Sequence, residues 1–319
     1  MIYLQQFMLP SMDEELHYLK DPSGADRLPG FIDVERDGMH MRKYNTNAGR
    51  TCFESQYPFL LLSEKGMRDV TFSDVTFFCG NNGSGKSTLL NIIAQKLELA
   101  RKAPYNRTTF FDDYLLMCQE HLNDDYETDF ILKRDGKIIT SDDVFDYNLS
   151  LREKNNLIDE QRKRLFEKKK TVKIPKMVDF TDKDSIENYK IAYSLATSSY
   201  SKSSKQFVGT NPHEKSNGEV GFEYFINNIS AGGLYLLDEP ENSLSSELQI
   251  ELKNYIEAMA RCYNCQFIIA THSPFLLSIK ESKIYDMDRW PVQLTVWEQI
   301  NDVKVFLDFF ENEKRLRNI

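Results

Sequence analysis

Short, continuous apolar runs are the clearest pattern along the chain. Three of them lie in VTFFC (75–79), GLYLLDEP (233–240) and CQFIIATHS (265–273). Strands that are covered on both faces of a parallel sheet have this pattern. Two helices are predicted between such runs, one over residues 88–102 and one over residues 245–263, where apolar positions recur at near-helical spacing. Strands that alternate with helices predict an α/β fold with a mostly parallel sheet flanked by helices.

The more polar stretches predict smaller elements around this sheet. The N-terminal strand-like runs, with a hairpin turn at Asp37-Gly38, predict an antiparallel β subdomain. Residues 103–215 predict a lid-like insertion made of a β-hairpin, which turns at Asp135-Gly136, and of charged helices. We therefore expect a single domain over residues 1–319 that carries this helical insertion.

Composition limits the class of protein. The 319 residues are 41% hydrophobic and 28% charged with a net charge of −9, so the chain can bury a sizeable core and is not a uniformly basic nucleic-acid binder. The longest apolar-rich stretch without a charge, 262–279, contains Gln266 and His272 and predicts a buried strand and loop rather than a membrane span. Five cysteines without a secretory signal predict reduced thiols in the cytoplasm. Cys262 and Cys265 have no second Cys/His pair at zinc-like spacing, which favours two ordinary cysteines.

A basic segment begins at Arg152 and ends at Lys176. It carries ten Lys or Arg residues against four Asp or Glu residues in an otherwise acidic protein. Its charges could contact the phosphates of a nucleic acid. They could equally form the solvated face of a helical hairpin, and the sequence leaves both alternatives open.

The stretch GNNGSGKST follows the first apolar run and precedes a predicted helix. It fits the P-loop template G-x-x-x-x-G-K-[ST], in which glycines let backbone N–H groups wrap phosphates at a helix N-terminus. Lys86 is expected to reach the β- and γ-phosphates, and the Ser87 hydroxyl is expected to bind Mg²⁺. The predicted nucleotide-binding residues are Gly80, Asn81, Asn82, Gly83, Ser84, Gly85, Lys86, Ser87 and Thr88. The chain is therefore predicted to bind a nucleoside triphosphate.

Two carboxylates and a histidine follow the other apolar runs. Asp238 is expected to hold Mg²⁺ through water beside Ser87, and Glu239 is expected to act as the general base that orients the attacking water. His272 ends the third run and is expected to donate a hydrogen bond to the γ-phosphate. Acids at strand ends and lone histidines are common structural features, but the upstream P-loop favours the catalytic interpretation for Lys86, Glu239 and His272.

With these elements in order, the sequence resembles the ABC-type ATPase superfamily, and more closely its soluble SMC- and RecF-like branch of small bacterial ATPases. Four motifs carry the resemblance: GNNGSGKST as Walker A, KSNGE (215–219) as the signature region, LLDEPENSLS (236–245) as Walker B with the D-loop, and ATHSP (270–274) as the switch histidine. The resemblance covers roughly residues 55–100 and 210–310. It implies a P-loop NTPase fold of the ABC-ATPase type with ATP and Mg²⁺ as ligands.

The resemblance also implies how the ATP site is completed. In this family two subunits pack head to tail on ATP, and each offers its signature segment to the phosphate loop of the other. On this chain Ser216, Gly218 and Glu219 correspond to that segment and would bind ATP in trans. Gln119 is the candidate for the family's glutamine that contacts nucleotide and metal.

Two motifs depart from the transporter pattern. Transporters usually carry L-S-G-G-Q, where this chain has Lys215, Asn217 and Glu219. The D-loop, which usually ends in Asp, reads Ser243-Leu244-Ser245. Both departures favour the soluble branch.

These features together predict a cytoplasmic ATPase that dimerises on ATP and converts hydrolysis into an open–closed switch. Relatives of this branch act in DNA repair or anti-phage defence, so we expect an effector partner such as a nuclease or toxin, and no membrane. The alternatives are a nucleotide-binding subunit of an ABC transporter and a scaffold that binds ATP without hydrolysing it.

Overall fold

The computed structural model describes residues 2–20, 31–36, 39–44, 56–124, 132, 134–174, 183–208 and 216–317; for residues 20, 31–36 and 39–44 it describes the backbone alone. Two compact units make up the chain. The first consists of Met1–Asp143 and Gly221–Ile319, and the second is Val144–Val220.

The described chain contains both strands and helices. The strands are β1 (Leu4–Met8), β2 (Phe31–Arg36), β3 (Met39–Tyr44), β4 (Asp69–Thr71), β5 (Val75–Cys79), β6 (Gln119–Leu122), β7 (Lys137–Thr140), β8 (Gly233–Asp238), β9 (Cys265–Ala270), β10 (Lys283–Asp286) and β11 (Gln293–Thr295). The helices are α1 (Met12–Lys20), α2 (Lys86–Lys96), α3 (Phe111–Met117), α4 (Ser141–Thr171), α5 (Lys183–Thr197), α6 (Tyr200–Phe207), α7 (Asn217–Asn228), α8 (Ser246–Cys262) and α9 (Asn301–Arg317).

The central sheet has six strands in the order β11-β10-β5-β9-β8-β7. All neighbours pair in parallel except β10 and β11. The three predicted apolar strands are confirmed as β5, β8 and β9, which lie side by side and are almost entirely buried. Because adjacent parallel strands end at one edge, the residues that follow β5, β8 and β9 meet there.

One predicted hairpin is wrong. Lys137–Thr140 was expected to be the second arm of a hairpin that turns at Asp135-Gly136, but it pairs in parallel with β8, with Lys137 opposite Tyr235. The physical reason is burial on both faces: the consecutive residues Ile138 and Ile139 are each 3% exposed, which suits a parallel sheet rather than a half-solvated hairpin.

The predicted antiparallel β elements are present in the N-terminal part. Strands β2 and β3 pair antiparallel, with Phe31 opposite Tyr44 and Arg36 opposite Met39. The predicted turn at residues 37–38 lies outside the described residues. Strand β1 is the middle of a second antiparallel sheet, β4-β1-β6. The fully buried Gln266 of β9 links this sheet to the central one, since its side chain accepts the N–H groups of Tyr3 and Leu4 and donates to the Leu4 carbonyl.

Helices α2 and α8 pack against the central sheet. Helix α2 packs on β8 and β9, and its buried face contributes Leu89, Leu90, Ile92 and Ile93 to the core. Helix α8 packs on β9 through the buried residues Leu252, Ile256, Met259 and Ala260. These contacts fix the N-terminus of α2 relative to the strand ends.

The second unit is helical. Most of the basic segment lies on α4, a helix of 31 residues that is largely solvent-exposed. Lys169 is an exception, because its ammonium group donates to the Leu195 and Ser198 carbonyls and to the Ser203 hydroxyl, and so ties α4 to the α5–α6 junction. Among the described residues, no helix combines the length and the apolar character needed to cross a membrane.

Candidate functional site

The phosphate-binding motif forms the loop between β5 and α2. Three glycines of this loop have backbone angles that favour glycine: φ is 146° at Gly80, 79° at Gly83 and 95° at Gly85. Gly85 also begins α2 as its N-cap and provides no side-chain acceptor for the first-turn N–H groups. These unsatisfied donors and the positive end of the helix dipole suit a phosphate group.

Lys86 is buried at the start of α2 and is 4% exposed. Its ammonium group has three acceptors within hydrogen-bond distance: the Gly80 carbonyl at 2.6 Å, the Asn81 carbonyl at 3.2 Å and His272 Nε2 at 2.8 Å. Burial lowers the pKa of Lys86, and the carboxylates of Glu239 and Asp238 oppose that shift. The phosphate loop therefore already holds a desolvated cation between its own carbonyls.

Ser87 and Asp238 form the pair that would hold Mg²⁺. The Ser87 hydroxyl donates to Asp238 Oδ1 at 3.0 Å. Burial raises the pKa of Asp238 to about 6, against the lowering effect of the Ser87 hydrogen bond. A divalent cation would replace the Ser87 proton as the partner of this carboxylate, so the pair fits Mg²⁺. Within the described parts of the chain, no group of three His, Cys, Asp or Glu side chains could hold a metal ion by itself. Mg²⁺ does not need such a group here, because nucleotide phosphates supply some of its ligands.

Glu239 lies beside the phosphate loop. Its N–H donates to the Ala270 carbonyl at 2.9 Å, and its φ of 50° turns the chain out of β8. The side chain accepts a hydrogen bond from Asn242 Nδ2 at 2.9 Å, and its other oxygen lies 3.9 Å from His272 Nε2. Glu239 lines a pocket of about 340 Å³ together with Leu61 and residues 82–88, which gives it access to a phosphate bound there.

His272 is held from several sides. Its backbone N–H donates to Glu241 Oε1 at 2.6 Å. In the ring, Nε2 faces Lys86, and Nδ1 lies 3.7 Å from Asp302 Oδ2 at the start of α9. The ends of β5, β8 and β9 thus bring together the predicted residues Lys86, Ser87, Asp238, Glu239 and His272.

Several residues outside the predicted motifs also contact this site. Asp288 accepts the Asn81 N–H through both carboxylate oxygens, each at 2.9 Å. A Cβ at position 80 would lie 3.0 Å from Asp288 Oδ1, so a side chain there would have to displace this carboxylate slightly. The Tyr57 hydroxyl donates to Thr88 Oγ1 at 3.0 Å. Neither Asp288 nor Tyr57 lies in a motif, so no sequence signal could have identified them.

Gln119 is not brought to the phosphate loop. It begins β6, is exposed and pairs with Met8 of β1. Among the described residues that line the phosphate-loop pocket, Gln119 does not occur. Its role in binding nucleotide or metal stays a prediction.

The signature residues form the N-terminus of α7. Ser216 N–H donates to Glu219 Oε2 at 2.8 Å, and Glu219 N–H donates to Ser216 Oγ at 3.3 Å, which is a capping box. Gly218 is the second residue of the helix, and Asn217 Oδ1 accepts from Arg152 at 2.7 Å. Lys215 lies outside the described residues. Ser216 and Glu219 therefore have a local structural role within one chain, and their action in trans stays a prediction.

A parallel sheet with a phosphate loop after one strand and an acidic pair after another defines a P-loop nucleotide-binding protein. Residues 225–278, which include Asp238, Glu239 and His272, match the family model described as "AAA domain, putative AbiEii toxin, Type IV TA system". The mostly parallel six-stranded sheet with flanking helices confirms the predicted α/β class, and membership of the ABC- and SMC-like ATPases stays a prediction.

Two solved structures are similar at low identity. One is the Smc head domain with an extended coiled coil from Pyrococcus furiosus, bound to the C-terminal domain of ScpA; the identity is 14% over 76% of this chain and 94% of that chain, with a TM-score of 0.35. The other is a dimeric ATP-binding cassette in a post-hydrolysis state with ADP and Pi; the identity is 15% over 73% of this chain and 90% of that chain, with a TM-score of 0.31. No curated protein matches the sequence. At these identities and TM-scores nothing about function follows from the two structures.

Proposed function

We propose that this chain binds ATP with Mg²⁺, hydrolyses it, and uses the cycle as a conformational switch. The observation that carries the proposal is the meeting of Lys86, the Ser87–Asp238 pair, Glu239 and His272 at the ends of three adjacent parallel strands. Each group has a separate role in phosphoryl transfer to water, and together they include a cation, a metal-binding pair, a base and a γ-phosphate contact.

The contacts support a separate role for each group. Lys86 would exchange its carbonyl acceptors at Gly80 and Asn81 for phosphate oxygens. Ser87 and Asp238 would hold Mg²⁺, which would neutralise charge on the phosphates. Glu239 accepts the proton of the attacking water, and Asn242 holds this carboxylate in place.

We also propose that two copies close head to tail on ATP. Ser216, Gly218 and Glu219 would then face the phosphate loop of the other copy, and Gln119 would contact nucleotide and metal. The position of this segment supports the assignment, because it begins a helix of 12 residues and such an N-terminus favours an anion. The capping contacts between Ser216 and Glu219 would have to open to free their N–H groups for a phosphate. The family resemblance of KSNGE is the second support.

The partner is proposed to be an effector protein in DNA repair or anti-phage defence, in the cytoplasm. The support is the matched family, whose description names the AbiEii toxin and a Type IV TA system. A nucleic-acid contact through the basic residues of α4 stays a prediction; Lys169 would not take part, because its ammonium group is bound inside the helical unit.

Steady-state ATP turnover of the wild type, Glu239→Gln and Glu251→Gln tests the proposal. Glu251 is an exposed glutamate on α8, so its variant makes the same chemical change away from the site. We expect Glu239→Gln to lower turnover by about 10²–10⁴-fold while ATP binding is kept, since general bases contribute about this much, and Glu251→Gln to match the wild type.

Two results would contradict this expectation. Equal rates near zero in all three proteins would end the hydrolysis proposal and favour a scaffold that only binds ATP. Equal and substantial rates would show that Glu239 is not the base.

A further inference from the structure

The orientation of the His272 ring follows from the donors around it. A lysine ammonium group donates hydrogen bonds and accepts none, so the 2.8 Å contact between Lys86 Nζ and His272 Nε2 requires a lone pair on Nε2. The neutral ring then carries its proton on Nδ1. That N–H points to the side of Asp302, whose Oδ2 lies 3.7 Å away.

The backbone around Asp302 is anchored by its neighbours. It lies in the first turn of α9, between the buried residues Ile300 and Val303, which are 3% and 1% exposed. Just before the helix, Trp297 Nε1 donates to the Pro274 carbonyl at 2.9 Å, two residues beyond His272 in the chain. The start of α9 is therefore tied to the same loop that carries the histidine.

We propose that Asp302 is a positioning residue for His272, whose carboxylate faces Nδ1 and keeps Nε2 directed at Lys86 and the phosphate site. This inference rests on the proposed function for its catalytic consequence. A movement of the Asp302 side chain by less than about 1 Å would turn the 3.7 Å contact into a hydrogen bond.

The positioning matters when a phosphate oxygen takes the place of Nε2 as the acceptor of Lys86. Nε2 then has to donate rather than accept, and a ring that also donates from Nδ1 toward Asp302 does so only with a proton on both nitrogens. Asp302 at Nδ1 stabilises that doubly protonated ring, as carboxylates behind functional histidines do. Glu239, 3.9 Å from Nε2, is the other carboxylate that faces the ring. The C-terminal helix is thereby coupled to the γ-phosphate contact.

The first test does not need nucleotide or turnover. Nitrogen-15 NMR of the imidazole rings, with the His272 signals assigned by their loss in His272→Gln, reports which ring nitrogen carries the proton at a pH where the ring is neutral. We expect the Nδ1–H form in the wild type. In Asp302→Ala we expect a mixture with the Nε2–H form, because without the carboxylate the ring can turn Nε2 away from Lys86. Asp308→Ala removes an exposed carboxylate from the same helix and is expected to leave the spectrum unchanged. An Nε2–H ring in the wild type, or a pure Nδ1–H ring in Asp302→Ala, would overturn the proposal.

The second test is kinetic. Asp302→Asn is expected to lower kcat about tenfold with KM almost unchanged, and Asp302→Glu to restore part of the loss. In a His272→Ala background Asp302→Asn is expected to have no further effect, because the residue acts through the ring. An equal loss in that background, or a rise in KM alone, would show that Asp302 acts elsewhere and would overturn the proposal. If the wild type itself does not hydrolyse ATP, the proposed function fails, and the NMR result alone decides the positioning.

Discussion

Asp113 is a buried carboxylate whose removal is expected to change how stability depends on pH. It lies in the first turn of α3 and is 3% exposed, and its Oδ2 accepts the Tyr18 hydroxyl at 2.8 Å. Burial raises the pKa of Asp113 to about 6 from an ordinary value of 3.8, with the Tyr18 hydrogen bond opposing the shift. The folded protein therefore binds this proton more tightly than the unfolded chain does.

The sign and size follow from linkage. Because the folded pKa is raised, the contribution of Asp113 to stability is fully present below about pH 4 and is lost as the pH rises through about 6. A difference of roughly 2 pKa units corresponds to about 3 kcal/mol at most, of which about 2.5 kcal/mol is lost between about pH 4 and about pH 7.5. Asp113→Asn keeps an acceptor for the Tyr18 hydroxyl and removes this titration.

The assay is urea denaturation of the wild type, Asp113→Asn and Asp112→Asn at both pH values. Asp112 is the neighbouring carboxylate, with a side chain 63% exposed, so its variant makes the same charge change without a buried titration. We expect the free energy of unfolding of Asp113→Asn, relative to the wild type, to rise by about 2.5 kcal/mol from about pH 4 to about pH 7.5. Other carboxylates cancel in this difference.

A constant offset between Asp113→Asn and the wild type at both pH values would refute the reasoning, because the cost of burying an amide does not depend on pH. A pH-dependent difference of the same size in Asp112→Asn would assign the effect to net charge rather than to burial.

Three further predictions concern the phosphate loop and the signature segment. Lys86→Ala is expected to weaken ATP binding at least about tenfold, since a hydrogen bond to a charged group is worth about 1.5–3 kcal/mol. Unchanged ATP affinity in calorimetry would show that this loop does not bind the phosphates of ATP. Gly85→Ala is expected to lower the free energy of unfolding by about 1 kcal/mol more than Gly83→Ala, because both have positive φ but only position 85 would place a Cβ 2.8 Å from a Leu61 methyl carbon. Equal costs in urea denaturation would contradict this. Ser216→Arg, combined with Glu239→Gln, is expected to abolish an ATP-dependent dimer in size-exclusion chromatography with light scattering. A dimer of unchanged stability would show that Ser216 only caps its own helix.

The fold was predictable where the signal is local. The runs that became β5, β8 and β9 are apolar at most positions, which is typical of a strand covered on both faces, and the structure confirms all three. The pairing of strand β7 could not be predicted from local signals. Asp135-Gly136 is a strong local turn signal, but the partner of the strand that follows it is Tyr235 and its neighbours, about 100 residues further along the chain.

The site divides in the same way. The proximity of the phosphate-loop glycines, Lys86, Ser87 and Asp238 could be predicted from sequence, because their spacing and flanking strands reflect a local loop-and-helix geometry and a shared strand edge. Their roles stay predictions. Asp288 and Asp302 could not, because each reaches the site from a segment that has no motif of its own.

By itself, the sequence determined the strand–loop–helix that carries the phosphate motif and the acidic and histidine strand ends, since these depend on contacts between near neighbours in the chain. The tertiary structure alone decided which side chains surround those groups: the carboxylate that holds Asn81, the Tyr57 hydroxyl at Thr88 and the carboxylate beside His272. Such contacts join residues that are distant in the chain, and only the packing of the sheet and helices brings them within a few ångströms of each other.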